Sequence, residues 1–367
     1  MAEAFKHKFF QRPFFERLAA EITRVHAGFD RRRFFALVYD DEWESLELKA
    51  RMRHASEALG RTLPADYGQA LGILMKVERH FSGFDHLLFA DFVERFGVGD
   101  FEASMAALEA LTRTSAEFAV RPFIRRYPDR ALAQMLAWTK HERESVRRLS
   151  SEGCRPRLPW GTALEELKRD PSPLIPILES LKDDPSEAVR RSVSNNLGDI
   201  AKDHPDLAMD VGARWIAESV ARTSLVKHAL RDLLKKGNRR ALRMFGVGAE
   251  AAVKTERVSV KPARVRLGGQ AMLGIVLRST AKKAQRLRLE YAITYARPGG
   301  RSGRKVFKIA DVDLAAGASL ELARKLSFAD RSIRKHYAGR HTATLLVNGK
   351  ALGSAAFTLV RAESASR

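Results

Sequence analysis

Two stretches, ESVRRLSSEG (Glu144–Gly153) and EAVRRSVSNN (Glu187–Asn196), align residue for residue at a spacing of 43. Shorter echoes stand at Ala119-Val120-Arg121 and at Leu225-Val226-Lys227, the latter 37 residues beyond the second copy. Recurrence at such a period marks one structural unit used several times. In every copy a valine precedes one or two basic residues, which predicts valines in a shared core and basic side chains facing outwards. The surrounding sequence is helical. Phe101–Leu111, Ala131–Trp138, Ala163–Leu167 and Leu174–Leu181 carry apolar residues at helical spacing, and Pro128, Pro171, Pro185 and Pro205 fall between segments, where they stop helices.

Periods of this length with a helix pair per unit resemble HEAT repeats, which stack into a curved solenoid. Beyond residue 254 the texture changes to short alternating runs: Val258–Val260, Arg264–Leu267, Leu287–Ile293, Lys305–Ile309 and Thr342–Val347 read as strands. Gly268-Gly269, Pro298-Gly299-Gly300, Gly317 and Asn348-Gly349 punctuate them, and Asn-Gly is a type I′ hairpin signal. The pattern predicts an immunoglobulin-like sandwich of about seven strands. Tyr337 is either the tyrosine corner of that sandwich or a surface tyrosine. The expected architecture is an all-α HEAT-like repeat solenoid over residues 1–254, followed by an all-β immunoglobulin-like sandwich over residues 255–367.

The 367 residues hold 65 Lys and Arg against 44 Asp and Glu, a net charge of +21. Residues 255–367 hold 23 against 7, a net of +16, and the remainder 42 against 37, a net of +5. A polyanionic partner is implied, such as nucleic acid or an anionic membrane surface. The N-terminal MAEAFKHKFF lacks the apolar region of a signal peptide, and the apolar runs, such as Ala271–Leu277, are too short to span a bilayer. One cysteine, Cys154, excludes an intramolecular disulfide and fits a reducing compartment, so a cytoplasmic, nucleoid-associated protein is expected.

Carboxylates interrupt the basic stripe. Glu117 and Arg121, Arg148 and Glu152, and Asn195 and Asp199 each stand four apart, hence on one helix face. Taken singly these are ordinary helix-face pairs. Stacked in register, Glu117, Glu152 and Asp199 converge on one surface. Directly after Glu152 comes GCRPRLPW, two prolines and two arginines ending in Trp160. A tryptophan there is either core or a platform for a base or a cation. Acids, an indole and phosphate-binding arginines suit the loss of a cationic alkylated base from DNA, since carboxylates stabilise the oxocarbenium-like sugar and orient water. That chemistry needs no metal and no cofactor. No GxxxxGK[ST], GxGxxG, HExxH or CxxC motif is present, the histidines lack ligand spacing, and Cys154 has no neighbouring base to make it a nucleophile.

HERESVRRLSSEGCRPRLPW, DPSPLIPIL (Asp170–Leu178) and DDPSEAVRRSVSNNLGDIAKDHPD resemble the AlkC branch of the HEAT-like DNA alkylation repair glycosylases. LELKARMRH (Leu46–His54), DFEASMAALEALTRTSAEFAVRPFI and VKHALRDLLKKG extend the likeness through most of residues 1–245, with RPRLPW its most specific element. The resemblance implies excision of 3-methyladenine and 3-methylcytosine from double-stranded DNA, without base flipping, by a monomer with a C-terminal immunoglobulin-like domain. It implies Glu152 and Asp199 as the acids nearest the sugar, Glu117 in support, and Trp160 against the lesion. Arg148 orders the acids or a phosphate, and Arg121, Arg155, Arg157, Arg190, Arg191 and Lys227 are DNA-binding candidates in the helical part. In the sandwich Lys282 and Lys283, with Arg286, Arg288 and the Arg301–Lys308 group, are expected to grip the duplex. The alternatives are a non-enzymatic HEAT-repeat protein that binds unusual or damaged DNA, and a protein-binding scaffold.

Overall fold

The structure, a computed structural model, describes residues 8–248, 250–330 and 335–361. The helices run α1 (Arg12–Val25), α2 (Arg31–Val38), α3 (Leu48–Thr62), α4 (Tyr67–Val77), α5 (Leu87–Phe96), α6 (Phe101–Leu111), α7 (Arg121–Arg126) and α8 (Pro128–Trp138). They continue through α9 (Glu144–Glu152), α10 (Glu165–Arg169), α11 (Ile175–Leu181), α12 (Glu187–Asp203), α13 (Pro205–Glu218), α14 (Thr223–Ala229), α15 (Arg231–Lys235) and α16 (Arg239–Met244). The first compact unit holds α1–α12 and α14. Asp30, Asp66, Asp100 and Ser186 cap α2, α4, α6 and α12 by accepting first-turn amides. Pro128 and Pro205 open α8 and α13, where a missing N–H costs nothing, rather than merely ending the helices before them.

Stacking follows the sequence repeat. α8 packs on α7 and α9, α9 on α11 and α12, and α12 on α14. Val120, Val146, Val189 and Val226, the constant valines, are all fully buried. Only part of the basic stripe faces outwards: Arg191 is exposed and Arg148 half-exposed, but Arg121, Arg147 and Arg190 turn in. Arg121 is buried and donates to backbone carbonyls. Arg147 lies against Asp184 and the carbonyls of His141 and Glu142, and Arg190 against the carbonyls of Asp184 and Pro185. A guanidinium next to a helix end satisfies orphan carbonyls there, so these side chains brace the repeat.

The second compact unit combines α13, α15 and α16 with the strands. Strand β1 (Val253–Lys261), β3 (Gln270–Ser279) and β6 (Ser319–Ser327) form one sheet in the order β1-β3-β6. Strands β2 (Arg264–Arg266), β4 (Gln285–Ala296), β5 (Ser302–Leu314), β7 (Gly339–Val347) and β8 (Lys350–Val360) form the other, in the order β2-β8-β7-β4-β5. Leu273, Ile275 and Leu277 of the first sheet meet Leu287, Leu289, Leu345 and Phe357 of the second in the core. The Asn-Gly turn forms as read: Asn348 and Gly349 both take positive φ between β7 and β8.

Asn348 also donates to the Gly248 carbonyl and accepts from the Arg288 amide. A side chain on Gly349 would strike the Gly237 backbone at 2.3 Å, so the hairpin tip touches the turn between α15 and α16 backbone to backbone. Arg288, expected at the surface, is buried beside Glu290, with Nη2 2.7 Å from the Glu290 carboxylate. Tyr337 is a surface residue, 39 % exposed, that meets His341 through its carbonyl. No helix among the described residues is long and apolar enough to cross a membrane.

Candidate active site

Glu117 does not share a helix with Arg121. It stands in the turn before α7, because the chain between α6 and α7 is non-helical around Thr114-Ser115. One carboxylate oxygen accepts from Ser115 Oγ and the other from Arg148 Nη1, one layer on, so the predicted pairing is exchanged for one between layers. Glu152 ends α9. Its Oε1 takes Arg155 Nη1 at 2.6 Å and its Oε2 takes Ser192 Oγ of α12 at 2.6 Å. Arg155 turns back over the same helix end and donates Nε to Asp199 Oδ2 at 2.9 Å, while Lys202 Nζ holds Asp199 Oδ1 at 2.8 Å.

Arg155, a DNA-binding candidate from the sequence, is therefore buried between two carboxylates and cannot reach a phosphate. Burial works against its charge, but Glu152 and Asp199 outweigh it and raise its pKa. Arg121 is likewise removed from the DNA-binding set. Its Nη1 donates to the carbonyls of Gly153 at 2.9 Å and Arg155 at 2.8 Å, and its Nε to that of Thr162. With no carboxylate on it, burial pulls this guanidinium down to about 10. It clamps both ends of the Gly153–Thr162 loop.

That loop carries Trp160, which is 68 % exposed and has φ +66°, a conformation few non-glycine residues adopt. Lys49 of α3 holds the Trp160 carbonyl at 2.7 Å, and Phe84 meets the indole edge to face at 6.4 Å. The reading of Trp160 as core gives way to the exposed one. A cleft of about 520 Å³ opens here, lined by Trp160, Phe84, Phe118, Glu117, Arg148 and Glu152 among others. Asp199, 2 % exposed, is not among the lining residues and is joined to Glu152 through Arg155.

Arg148 is half-exposed at the cleft, and Arg157, on the same loop as Trp160, forms an ion pair with Asp203 at 2.7 Å. Arg190 and Arg191 line a separate cleft of about 290 Å³ with Ser194, Ser224 and His228. Lys227 adjoins it in sequence. Lys282 and Lys283 are exposed in the turn between β3 and β4. Phe84, Ser192 and Lys49 were not singled out from the sequence. Ser192 left a trace: it stands where the first repeat copy has Leu149, a polar residue at a position the repeat reserves for the core.

The fold and this cleft define a helical-repeat protein with a C-terminal immunoglobulin-like domain, and the chain belongs to the AlkC family of that construction. Residues 254–361 match the family described as Uncharacterised protein YhaZ, C-terminal Ig-like domain. The chain is 40 % identical over 341 residues to Uncharacterized protein YhaZ of Bacillus subtilis (strain 168), covering 93 % of this chain and 95 % of that one. It also matches the solved structure of Pseudomonas fluorescens alkylpurine DNA glycosylase AlkC bound to DNA containing an abasic site analog, with a TM-score of 0.87 and 42 % identity over 94 % of this chain and 98 % of that one.

Proposed function

We propose that the chain is a monofunctional DNA glycosylase that hydrolyses the N-glycosidic bond of cationic alkylated bases, 3-methyladenine and 3-methylcytosine, in double-stranded DNA. It acts as a monomer and without drawing the base into a pocket. The observation that carries this is the meeting of Glu117, Glu152, Arg148 and an exposed, strained Trp160 in one cleft. Similarity to a glycosylase solved on DNA with an abasic-site analog supports the same substrate class. Residues 1–254 supply the chemistry, and residues 255–367 add DNA affinity.

The C–N bond breaks with its electron pair leaving on the base, which cancels the positive charge of the lesion. The sugar is left with oxocarbenium character at C1′, and the Glu117 and Glu152 carboxylates oppose that charge. A water molecule oriented by Glu152 adds its oxygen to C1′ and passes a proton to the carboxylate, then to solvent. The bound oxygens of Glu152 each keep a lone pair for that water. Asp199 acts through Arg155, which fixes the Glu152 rotamer. The indole of Trp160 offers its face to the cationic base, an interaction worth about 0.5–2 kcal/mol. Arg157, Arg191 and Lys227 hold phosphates on the flanks, while Arg190 stays on the carbonyls of Asp184 and Pro185. The amine beside the loop, Lys49 Nζ, is engaged by the Trp160 carbonyl, which argues against Schiff-base lyase chemistry.

The deciding experiment is base release from duplex DNA carrying 3-methyladenine or 3-methylcytosine, followed by cleavage at the abasic site. Wild type is expected to release both bases, and Glu152→Gln to lose about a hundredfold or more in rate while still binding the duplex. Lesion binding with no release by either protein would identify a non-enzymatic damage-binding protein instead.

A further inference from the structure

Trp160 takes the third place of the turn Leu158-Pro159-Trp160-Gly161, closed by the Gly161 amide on the Leu158 carbonyl at 3.1 Å. With proline second and a positive φ third, this is a place that glycine or asparagine ordinarily fills. A bulky residue keeps such a conformation only where its surroundings over-determine it. Part of the constraint comes from Arg121, which holds the carbonyls of Gly153, Arg155 and Thr162. A Cβ on Gly161 would meet the Arg121 side chain at 3.0 Å, so the turn sits directly on that clamp. None of the Arg121 bonds reaches Trp160 itself. Lys49 supplies one that does: its Nζ lies 2.7 Å from the Trp160 carbonyl, across 111 residues of chain.

Ordering a lysine costs rotamer entropy, so an exposed lysine on a carbonyl is ordinarily a passing contact. Here α3 gives it a reason to stay. The helix packs on α5. Lys49 and Arg53 stand four apart on α3 and share a face, as Asp91 and Glu94 do at three apart on α5. Arg53 Nη2 lies 2.9 Å from Asp91 and 2.7 Å from Glu94, and Asp91 is fully buried. One guanidinium between two carboxylates leaves a negative charge over, and buried charge persists only when balanced. Burial raises the pKa of both acids, and the cations Arg53 and Lys49 act against that rise. Lys49 is thus the second cation of the cluster, and the same ammonium meets the Trp160 carbonyl.

We infer that Lys49 is a positioning residue for Trp160: drawn to the Asp91–Glu94 pair, it fixes the Trp160 peptide and so keeps the indole at the cleft in its strained conformation. It acts through the tryptophan and touches neither base nor sugar. The inference rests on the glycosylase reading, in which Trp160 packs against the cationic base. Indole placement is measured without DNA, so failure of that reading and failure of this inference give different results.

The test labels the full chain with 5-fluorotryptophan, giving a fluorine resonance for each of its four tryptophans. That of Trp160 is the one lost in Trp160→Phe. Lys49→Met keeps the stem but removes charge and donor. It is expected to shift the Trp160 resonance, leave those of buried Trp138 and Trp215 in place, and keep the melting temperature. Lys49→Arg should return the resonance towards its wild-type position. Glu94→Gln should shift it in the wild-type chain but not in Lys49→Met. Base release by Lys49→Met should lose about tenfold in kcat, with KM within about twofold of wild type. A Trp160 resonance unmoved in Lys49→Met would overturn the proposal, and so would a loss confined to KM, which would make Lys49 a phosphate contact. Equal Glu94→Gln shifts in both backgrounds would overturn the anchoring by α5. Fluorine shifts as expected, with no base release even by wild type, would sink the glycosylase reading alone.

Discussion

Trp160 combines large exposure with a positive φ, two properties that a packing role does not explain. Holding a non-glycine residue there costs about 1 kcal/mol or more, and such strain gathers at ligand-binding sites. In Trp160→Gly the relief of strain and the added freedom of the unfolded chain nearly cancel. The melting temperature should stay close to wild type while base release falls at least tenfold; a large drop in melting temperature would make Trp160 a packing residue after all. Arg155 is expected to show the opposite balance. Arg155→Met leaves Glu152 buried without its cation and Asp199 with Lys202 alone, at a cost of about 3–5 kcal/mol in denaturant unfolding. Asp199→Asn in the same chain should recover part of that loss. Residue type alone misplaced Arg121 and Arg155, because arginine is almost never buried unless paired, and its partners here are carbonyls and acids brought from other layers.

At the level of elements, periodicity was sufficient for α6 and α11, whose bounds fall within a residue of the apolar pattern, and for the β7–β8 hairpin, whose Asn-Gly turn permits few other geometries. The segment between α6 and α7 was misread as helix because Glu117 and Arg121 have helical spacing; Thr114-Ser115 compete for the backbone and break it. The convergence of acids was legible only in outline, since which oxygens meet which donors depends on how layers stack. The wall of the cleft next to Phe84 illustrates a long-range dependence. His86 Nε2 lies 2.8 Å from Glu78 and 3.0 Å from Arg113, and burial lowers its pKa below the usual 6.5. Below pH 6.5 the unfolded chain takes up a proton that the folded chain refuses, so stability falls as the solution is acidified, by at most about 1.4 kcal/mol per pH unit. Thermal melts from pH 7 to 5 should show a steeper loss for wild type than for His86→Gln. Equal slopes would mean that His86 titrates normally in the fold.

For the whole molecule the charge division matters most. DNA binding should weaken steeply with salt, as expected when cations displace condensed counterions. The double change Lys282→Glu, Lys283→Glu should lower duplex affinity at low salt by about tenfold with little effect on stability; unchanged affinity would remove these lysines from the DNA surface. A truncation at residue 254 is the less clean experiment. It would strip α13, α15 and α16 of the strands with which they form one unit, and Trp215, fully buried there, belongs to that unit. Composition and texture marked where helix gives way to strand, within two residues of Val253, but they carried no information about which helices the strands would recruit.

The touching backbones of Gly237 and Gly349 bear on how this sandwich can be moved between proteins. Neither position tolerates even a methyl group, so the hairpin tip and the helical turn are matched surfaces that must be inherited as a pair. A fusion that borrows only residues 254–361 would carry one half of that match and expose it to solvent. The portable piece begins instead at Leu230, where α15 and α16 join the strands in one unbroken stretch of the second unit, and a graft designed from there should express as a folded module where the shorter one precipitates.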